Sequence, residues 1–461
     1  MIVELLDTTI REGEQTANVS FTVDQKVEIV QLLDEFGVEF IELGHPAVSP
    51  DVREAVERLS KLDLNANKLV HGRALASDID DAVKYNVPWM GMFFGTSPLS
   101  LQHKFQIDET EALKRIRDAV SYAKDKGLNV RFTAEDATRT DFSFLTEVFG
   151  VAEEAGADRI SIPDTVGAMS PGEIRNFVTK VCEVINIPLH VHCHNDYGLA
   201  AANTLAGLEA GARLGDVTVN GLGERSGIAA LAEVAIALKM LYKVENNWKL
   251  EMLPKISRVV ERASGVFNSE NRPVVGMYAF THKAGLHTRA VLKDPRTYEA
   301  FPPEVVDRNR HITIDKYSGH DAVRARLADM NVEVTDEQLD EILTIIKNRP
   351  MKRRFSDIDL IEVADEVLDI DLRARVPLGV EAIIQMGLSS ALYTTRITRR
   401  LMGFPQVKEV YEITGDYDVV VHVVANSIGD LNDFIEELRV SEGVEQTATH
   451  IILKGYEKDA D

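Results

Sequence analysis

The sequence predicts an α/β protein in which a (β/α)8 TIM barrel is followed by a small helical linker region and a C-terminal ferredoxin-like βαββαβ domain. Within the first 241 residues, short apolar runs alternate eight times with helical patterns, which is typical of a barrel. Polar residues recur where several non-adjacent runs end, which favours the barrel over an open doubly wound sheet, the alternative. After residue 379 the pattern runs strand, helix, strand, strand, helix, strand.

The barrel strands are predicted, in order, at 3–6, 40–43, 68–72, 89–94, 129–133, 159–162, 189–193 and 216–219. Helices of the barrel are predicted at 24–36, 109–125, 142–155, 171–184 and 197–210. Later helices are predicted at 248–265, 336–348 and 357–368. The last unit is predicted to contain strands at 380–388, 407–413, 417–425 and 444–453 and helices at 391–402 and 428–438.

Pro377 and Gly379 are typical of a hinge, which we predict at 371–379. We therefore predict three domains. They are a catalytic barrel at 1–243, linker subdomains at 244–376 that contribute to the active site and a dimer contact, and a regulatory domain at 377–461.

The composition is that of a globular protein that does not bind nucleic acid. Hydrophobic residues make up 45% of the chain, and the net charge is -23. Binding of phosphates needs a basic surface, so the acidic excess argues against a nucleic-acid partner. The two cysteines, Cys182 and Cys193, fit no disulfide framework, and neither a leader nor a membrane-spanning apolar run is visible. We therefore expect a cytoplasmic protein without a membrane partner.

The segment LHVHCHNDYG, from residue 189, predicts a metal site at the end of the seventh strand. Its apolar residues alternate with His190, His192 and His194, so the three imidazoles share one face of the strand. Two neighbouring imidazoles can chelate a divalent cation. Glu12 follows the first strand and completes a two-histidine, one-carboxylate set. The alternatives are a strand end that is merely rich in histidine and an ordinary surface ion pair of Arg11 with Glu12 or Glu14.

Five motifs stand in order along the chain: DTTIREGEQ from residue 7, RFTAED from 131, HVHCHNDYGLA from 190, NGLGERSG from 220 and HKAGLH from 282. Together they resemble the homocitrate synthase and isopropylmalate synthase family, of the DRE-TIM metallolyase type, over roughly residues 1–370. The resemblance implies an acyltransferase on a TIM barrel that condenses acetyl-CoA with a 2-oxo acid. It also implies a divalent metal ion, which is zinc, manganese or magnesium.

The resemblance assigns roles to residues of this sequence. It implies metal ligands at Glu12, His192 and His194, with Asn220 as a further candidate ligand. It implies that Arg11 polarises the ketone of the 2-oxo acid. The remaining implied positions are the substrate-binding Gln15, Thr133 and Thr165 and the acid–base residues Glu135 and His287, with Tyr298 as a helper.

His287 is our candidate for the base that removes a methyl proton from acetyl-CoA, coupled to Glu135. Its segment lies beyond the barrel, and the resemblance implies that this segment reaches the active site of a partner subunit. A homodimer or a higher homo-oligomer is therefore expected. The alternative is a histidine that only forms part of a turn.

Arg131 begins the RFTAED motif and predicts a dicarboxylic substrate, 2-oxoglutarate. A guanidinium can pair with the second carboxylate of this substrate, whereas an apolar 2-oxoisovalerate would leave Arg131 unpaired. The alternative is an ion pair of Arg131 with Glu135 or Asp136. The resemblance also implies a second histidine near the distal carboxylate, which many homocitrate synthases carry. This chain has Leu75 at that position, so His71 is the candidate to contact the distal carboxylate instead. Other dicarboxylic or shorter 2-oxo acids therefore stay open as substrates.

The C-terminal segment around VYEITGDYD is similar to the effector-binding (RAM) domain of leucine-responsive regulators. The similarity implies an amino-acid effector, and we expect lysine to bind near Gly415, Asp416 and Tyr417 and to inhibit the barrel. A passive dimerisation module is the alternative. A barrel with this tail resembles the feedback-regulated enzymes of lysine biosynthesis that follow the aminoadipate route.

Three other functions stay open from the sequence. An isopropylmalate synthase or a related citramalate-type acetyltransferase is the nearest alternative. A lyase of the hydroxymethylglutaryl-CoA type would use a similar metal site in reverse. An amino-acid-responsive transcription factor would explain the tail, but no DNA-binding helices precede it and the acidic balance opposes it.

Overall fold

The computed structural model describes residues 2–283, 285–349, 355, 357–369, 380–389, 394–404, 406–425, 428–439, 441 and 443–452. The chain divides into two compact units. The first contains Met1–Ala279 with Glu304–Asp307, and the second contains Phe280–Pro303 with Arg308–Asp461.

The first unit is a closed barrel of eight strands, as predicted. The strands are β1 (Glu4–Asp7), β2 (Phe40–Glu42), β3 (Asn67–Arg73), β4 (Trp89–Gly95), β5 (Asn129–Glu135), β6 (Arg159–Asp164), β7 (Leu189–Cys193) and β8 (Leu214–Val217). Each strand pairs in parallel with the next one along the chain, and β8 pairs with β1 to close the barrel. The open sheet is therefore excluded.

The helices of the barrel are α1 (Val23–Phe36), α2 (Pro50–Ser60), α3 (Ala76–Lys84), α4 (Glu109–Asp125), α5 (Phe142–Glu154), α6 (Pro171–Val184), α7 (Ala200–Glu209) and α8 (Leu231–Met240). Local sequence explains where two of them begin. Thr22 and Gln25 form a capping box at the start of α1, and Ser170 and Glu173 form another at the start of α6. The helix predicted at 248–265 is shorter, because a 3-10 turn at Leu250–Met252 precedes α9 (Leu253–Ser264).

The eighth strand begins two residues earlier than predicted. Leu214 and Gly215 pair with both β7 and β1, so they belong to the sheet, whereas Thr218 and Val219 lie beyond it. Asp216 is consequently inside the barrel wall and buried. The apolar core of the barrel includes Leu6, Phe40, Leu69 and Leu214, and the charged groups described below share this interior.

The second unit begins with the parallel pair β9 (Thr281–His282) and β10 (His311–Ile312). Its helices before residue 370 are α10 (Gly285–Lys293), α11 (His320–Asp329), α12 (Asp336–Asn348) and α13 (Asp357–Leu368). The last three bury one continuous apolar cluster, with Val323, Ile342 and Leu360 fully buried. The bounds of α12 and α13 agree with the prediction.

The end of the second unit has the predicted ferredoxin-like order. Its elements are β11 (Val380–Leu388), α14 (Thr394–Leu401), β12 (Val407–Glu412), β13 (Val419–Ala425), α15 (Ile428–Arg439) and β14 (Val444–Ile451). The four strands form an antiparallel sheet in the order β12-β13-β11-β14, and the helices bury Ile397, Leu431 and Phe434 against it. The predicted hinge at 371–379 lies outside the described residues, and the predicted domain boundaries stay predictions.

Within the described ranges, we find no helix that is both long and apolar enough to cross a bilayer.

Candidate active site

A cavity of about 260 Å³ lies where the strands of the barrel end. It brings together ten of the residues predicted from the sequence: Arg11, Glu12, Gln15, His71, Arg131, Thr133, Glu135, Thr165, His192 and His194. Residues from separate strands meet here because the carboxyl ends of parallel barrel strands share one rim. This clustering is the arrangement that the motif positions predict.

Glu12, His192 and His194 have the geometry of a metal site. Each offers a ligand atom, and these three atoms all lie within 4.8 Å of one another. All three side chains are buried, and the two imidazole rings are 5.1 Å apart between centroids. The Nδ1 atom of His194 is buried and has no hydrogen-bond partner in the structure. A buried imidazole that the protein leaves without a hydrogen bond at Nδ1, in a cluster with a carboxylate, fits a cation ligand.

Asp216, which the sequence analysis did not select, orients one of the two histidines. Its Oδ2 atom accepts a hydrogen bond from Nδ1 of His192 at 3.2 Å, so Nε2 of His192 is the nitrogen that faces the cluster. Burial raises the pKa of Asp216, but the charge of Arg131, the imidazole of His190 at 3.6 Å and the hydrogen bond from His192 outweigh burial and hold this pKa below its usual value. Such a carboxylate fixes both the tautomer and the direction of a metal-binding imidazole.

The protonation states of Glu12 and His194 suit a cation at neutral pH. Burial raises the pKa of Glu12, but the charges of Arg11 and His192 outweigh it, so this pKa falls to about 2. Burial and the charge of His192 lower the pKa of His194 to about 4. At neutral pH Glu12 is therefore ionised and His194 is neutral, which are the forms that bind a cation.

Glu42, at the end of β2, connects the charged groups of the site. Its carboxylate accepts hydrogen bonds from Arg11 Nε at 2.7 Å, His71 Nδ1 at 3.0 Å and Arg131 at 3.2 Å. The hydroxyl of Thr8 also donates to it. Burial raises the pKa of Glu42, but the charges of Arg11 and His71 outweigh it and hold this pKa well below its usual value. Glu42 thus stays ionised and holds the guanidinium of Arg11, which also pairs with Glu12.

Arg131 does not pair with Glu135 or Asp136, and it is not held in reserve for the second carboxylate of a substrate. Its guanidinium contacts Glu42 at 3.2 Å and Asp216 at 3.3 Å, while Glu135 and Asp136 pair with other cations. The idea that an apolar substrate would leave Arg131 unpaired is therefore wrong, because two buried carboxylates already neutralise it. The cause is closure of the barrel, which gathers the inward-facing side chains of β2, β5 and β8 in one interior. Arg131 nevertheless lines the cavity, and its Nε atom is buried without a partner.

The other predicted substrate contacts face the cavity with polar atoms. The hydroxyl of Thr133 is buried without a partner, so it can bind a ligand. Thr165 accepts a hydrogen bond from the backbone N–H of Asp136 at 3.0 Å. Glu135 pairs with Lys104. Gln15 lies beside Arg11 on the cavity wall.

Asn220 is not brought to this cavity. Its Nδ2 atom donates to the backbone oxygen of Ser257 at 3.0 Å, and its Oδ1 atom accepts from the hydroxyl of Ser257 at 2.6 Å. The residue has a left-handed backbone with φ of 59° in the turn after β8. Both ends of the carboxamide are therefore bound to α9, and we leave Asn220 out of the candidate ligand set.

The remaining predicted residues belong to the second unit. The ring centroids of His287 and Tyr298 are 4.1 Å apart. Gly415 has a φ of 137° and lies with Asp416 and Tyr417 in the turn between β12 and β13. Their catalytic and effector-binding roles stay predictions.

Family models match successive parts of the chain. Residues 2–260 match the HMGL-like family, residues 274–354 match the homocitrate synthase post-HMGL domain-like family, and residues 381–460 match the Lrp/AsnC ligand binding domain. The last match confirms the predicted similarity of the tail. Since the rest of the chain matches enzyme families, the transcription-factor hypothesis is not supported.

Curated relatives and solved structures agree with these matches. Homocitrate synthase of Saccharolobus islandicus (strain M.14.25 / Kamchatka #1) is 46% identical over 98% of this chain and 99% of the relative. Homocitrate synthase of Sulfurisphaera tokodaii is 45% identical over 98% of this chain and 100% of the relative.

Solved hydroxymethylglutaryl-CoA lyases share the barrel fold. The Brucella melitensis enzyme has a TM-score of 0.51 at 18% identity, covering 57% of this chain and 99% of its own. The Pseudomonas aeruginosa enzyme has a TM-score of 0.50 at 21% identity, covering 56% of this chain and 92% of its own. At such identities the likeness concerns the fold alone. The full-length relatives and the matched families together show that this chain belongs to the homocitrate synthase family.

Proposed function

We propose that this chain condenses acetyl-CoA with 2-oxoglutarate to give homocitrate and CoA, as a step of lysine biosynthesis. The observation that carries the proposal is the single cavity in which Arg11 lies beside the cluster of Glu12, His192 and His194. Relatives named homocitrate synthase that match 98% of the chain support the same assignment.

Glu12, His192 and His194 would hold a divalent metal ion. The donor set fits such an ion, because it combines one ionised carboxylate with two imidazoles and leaves ligand positions open. Zinc, manganese and magnesium are all compatible with nitrogen and oxygen donors of this kind. When bound, the ion would act as a Lewis acid on the 2-oxo acid.

The residues around the cluster position the 2-oxo acid. Arg11, held by Glu42, donates to the ketone oxygen and stabilises the negative charge that develops there. The hydroxyls of Thr133 and Thr165 bind the carboxylate next to the ketone. Arg131, together with His71, faces the distal carboxylate.

The acetyl group reacts as a carbon nucleophile. His287, assisted by Glu135 and Tyr298, accepts a proton from the methyl group of acetyl-CoA. The carbanion attacks the ketone carbon, a carbon–carbon bond forms, and the ketone oxygen takes up a proton as a hydroxyl. Water then cleaves the thioester, which releases CoA and makes the reaction effectively irreversible. A base from the segment after the barrel implies a homodimer, in which His287 serves the partner's cavity.

The choice of 2-oxo acid is tested by thiol release. Purified protein supplied with acetyl-CoA is expected to release CoA with 2-oxoglutarate at a kcat/KM at least about 100-fold above that with 2-oxoisovalerate, because 2-oxoisovalerate has no distal carboxylate to accept hydrogen bonds from Arg131. The pairing of Arg131 with Glu42 and Asp216 favours a second candidate, an isopropylmalate or citramalate-type synthase. Preference for 2-oxoisovalerate or pyruvate would establish that candidate instead.

The C-terminal domain would make the activity responsive to lysine. We place the effector at the turn of Gly415, Asp416 and Tyr417, where a carboxylate can pair with an amino group. Lysine is expected to inhibit the wild type, and the Asp416→Ala variant is expected to need at least about tenfold more lysine for half-inhibition. Asp433→Ala, on α15, is the matched control. Equal inhibition of all three proteins would remove this turn from regulation.

We also assign the protein to the cytoplasm, because Cys182 and Cys193 are both free. Cys193 is buried in the strand that carries the two histidines, as expected of a small core residue.

A further inference from the structure

His282 begins the motif HKAGLH, and none of the roles described above uses it. Its Nε2 atom lies 3.1 Å from Oε1 of Glu299, the residue that directly follows Tyr298. The same motif ends at His287, near the start of α10. The contact between His282 and Glu299 therefore joins the start of the segment that carries the candidate base to the residue beside its candidate helper.

The carboxylate of Glu299 is held by two side chains at once. It is only 5% exposed, and it also pairs with Arg310. Nε of Arg310 donates to Oε1, and a second guanidinium nitrogen donates to Oε2 at 2.7 Å, so this pair is bidentate. Burial raises the pKa of Glu299, but the hydrogen bonds from Arg310 and His282 outweigh it and hold this pKa below its usual value. Because an ionised carboxylate only accepts, the imidazole of His282 donates from Nε2.

The two donors come from neighbouring strands. His282 ends β9, and Arg310 directly precedes β10, which pairs with β9 in parallel. The N–H of His311 donates to the carbonyl oxygen of Phe280 at 2.9 Å, so backbone hydrogen bonds fix the strand pair. The carboxylate of Glu299 is thus held in one position, between two donors whose own backbones are paired.

The contact between His287 and Tyr298 depends on how the backbone of Tyr298 is held. Both side chains are exposed, and their ring centroids are 4.1 Å apart at an interplanar angle of 31°. The helix α10 is anchored through the buried Thr288, next to His287. On the other side a 3-10 turn ends at Tyr298, whose N–H donates to the carbonyl oxygen of Pro295 at 3.1 Å. Glu299 is the residue that joins this turn to β9 and β10.

We propose that Glu299 is a positioning residue, which His282 and Arg310 hold in place and which thereby keeps the ring of Tyr298 against His287. Its catalytic consequence rests on the proposed function, in which His287 accepts the methyl proton of acetyl-CoA. Proton transfer needs the reacting groups within hydrogen-bond reach, and a displacement of about 1 Å can cost about 100-fold in rate. In this role Glu299 acts only through the two rings.

The first test measures the position of the rings without turnover. In full-length protein with ¹³C-labelled histidine, the ring C–H signal of His287, identified by its loss in His287→Gln, is expected to be shifted by the ring of Tyr298. Tyr298→Leu should abolish this shift, and Glu299→Gln should remove most of it, because the amide nitrogen cannot accept from Arg310. Glu341→Gln, at an exposed glutamate of α12, is the matched control and should keep the shift. A shift that Glu299→Gln leaves unchanged would overturn the positioning role.

The second test measures thiol release by the metal-loaded protein. Glu299→Gln is expected to lower kcat about tenfold or more with KM for 2-oxoglutarate changed less than about threefold, because the barrel residues that bind this substrate are intact. In a His287→Ala background the same substitution is expected to lower kcat less than about twofold, since the residue through which it acts is gone. Equal losses in the two backgrounds would reveal a general effect on the structure and would contradict the proposal.

Variants of His282 keep the test informative if Glu299→Gln folds poorly, because they leave the pair of Glu299 with Arg310 intact. His282→Gln retains an N–H donor and is expected to keep kcat within about threefold of the wild type, whereas His282→Leu is expected to change kcat in the same direction as Glu299→Gln. Equal losses in both His282 variants would rule out the hydrogen bond to Glu299 as the cause. A wild type with the shifted His287 signal but without thiol release would support the positioning role and contradict the proposed reaction.

Discussion

Glu12→Gln is expected to abolish tight metal binding and to lower kcat/KM by more than about 100-fold, since even loss of an outer-shell partner costs ten- to 100-fold. Glutamine keeps the size of the side chain but cannot supply the charge that pairs with Arg11 and with a cation. The measurement is a Mn²⁺ titration of the metal-free protein, followed by thiol release with each metal restored.

Glu28→Gln is the control for that variant, because Glu28 is an exposed glutamate on α1, outside the cavity. It is expected to bind Mn²⁺ and to turn over like the wild type. If Glu12→Gln bound Mn²⁺ with unchanged affinity, the proposed ligand set would be wrong, whatever happened to the activity.

Glu42→Gln is expected to lower the free energy of unfolding of the barrel by about 3–5 kcal/mol, the usual cost of removing one partner of a buried charge pair. The substitution leaves Arg11 and Arg131 without their shared buried carboxylate. Urea unfolding can be followed through Trp89 and Trp248, the two tryptophans of the chain, which both lie in the barrel unit.

Glu39→Gln is a matched control at the other end of β2. Glu39 accepts hydrogen bonds from the backbone N–H of Leu5 at 2.7 Å and from Nε1 of Trp248 at 3.2 Å, which are neutral donors. Its replacement is expected to cost about 1–2 kcal/mol, because the amide oxygen still accepts from one of these donors and only one neutral hydrogen bond is lost. Equal losses in the two variants would show that Glu42 has no special role as a partner of buried cations.

Sequence patterns were sufficient for the fold and for most of the cavity. All eight barrel strands were predicted, because alternating apolar runs and polar strand ends are local features of the chain. Glu12, His192 and His194 were found in the same way, since histidines at every second position of a strand share a face.

The pairing of charges inside the barrel could not be predicted locally. The candidate partners of Arg131 were Glu135 and Asp136, close to it in sequence, whereas its real partners, Glu42 and Asp216, are 89 and 85 residues away. Asp216 was also misplaced by the two-residue error in the start of β8, which assigned it to a strand end instead of the barrel wall. Such contacts depend on barrel closure, which no short window of sequence contains.

Closure also makes the candidate metal cluster a late product of folding. Glu12 follows the first strand, and the two histidines come from the seventh. In the barrel β8 lies between these two strands, so it must pair with both of them before the three groups can meet. An incompletely synthesised barrel therefore has no complete chelate, and a cation bound by all three side chains stabilises only the finished ring. A catalytic metal ion at this site would thus also stabilise the closed barrel, because it would link the loop after the first strand to the seventh strand.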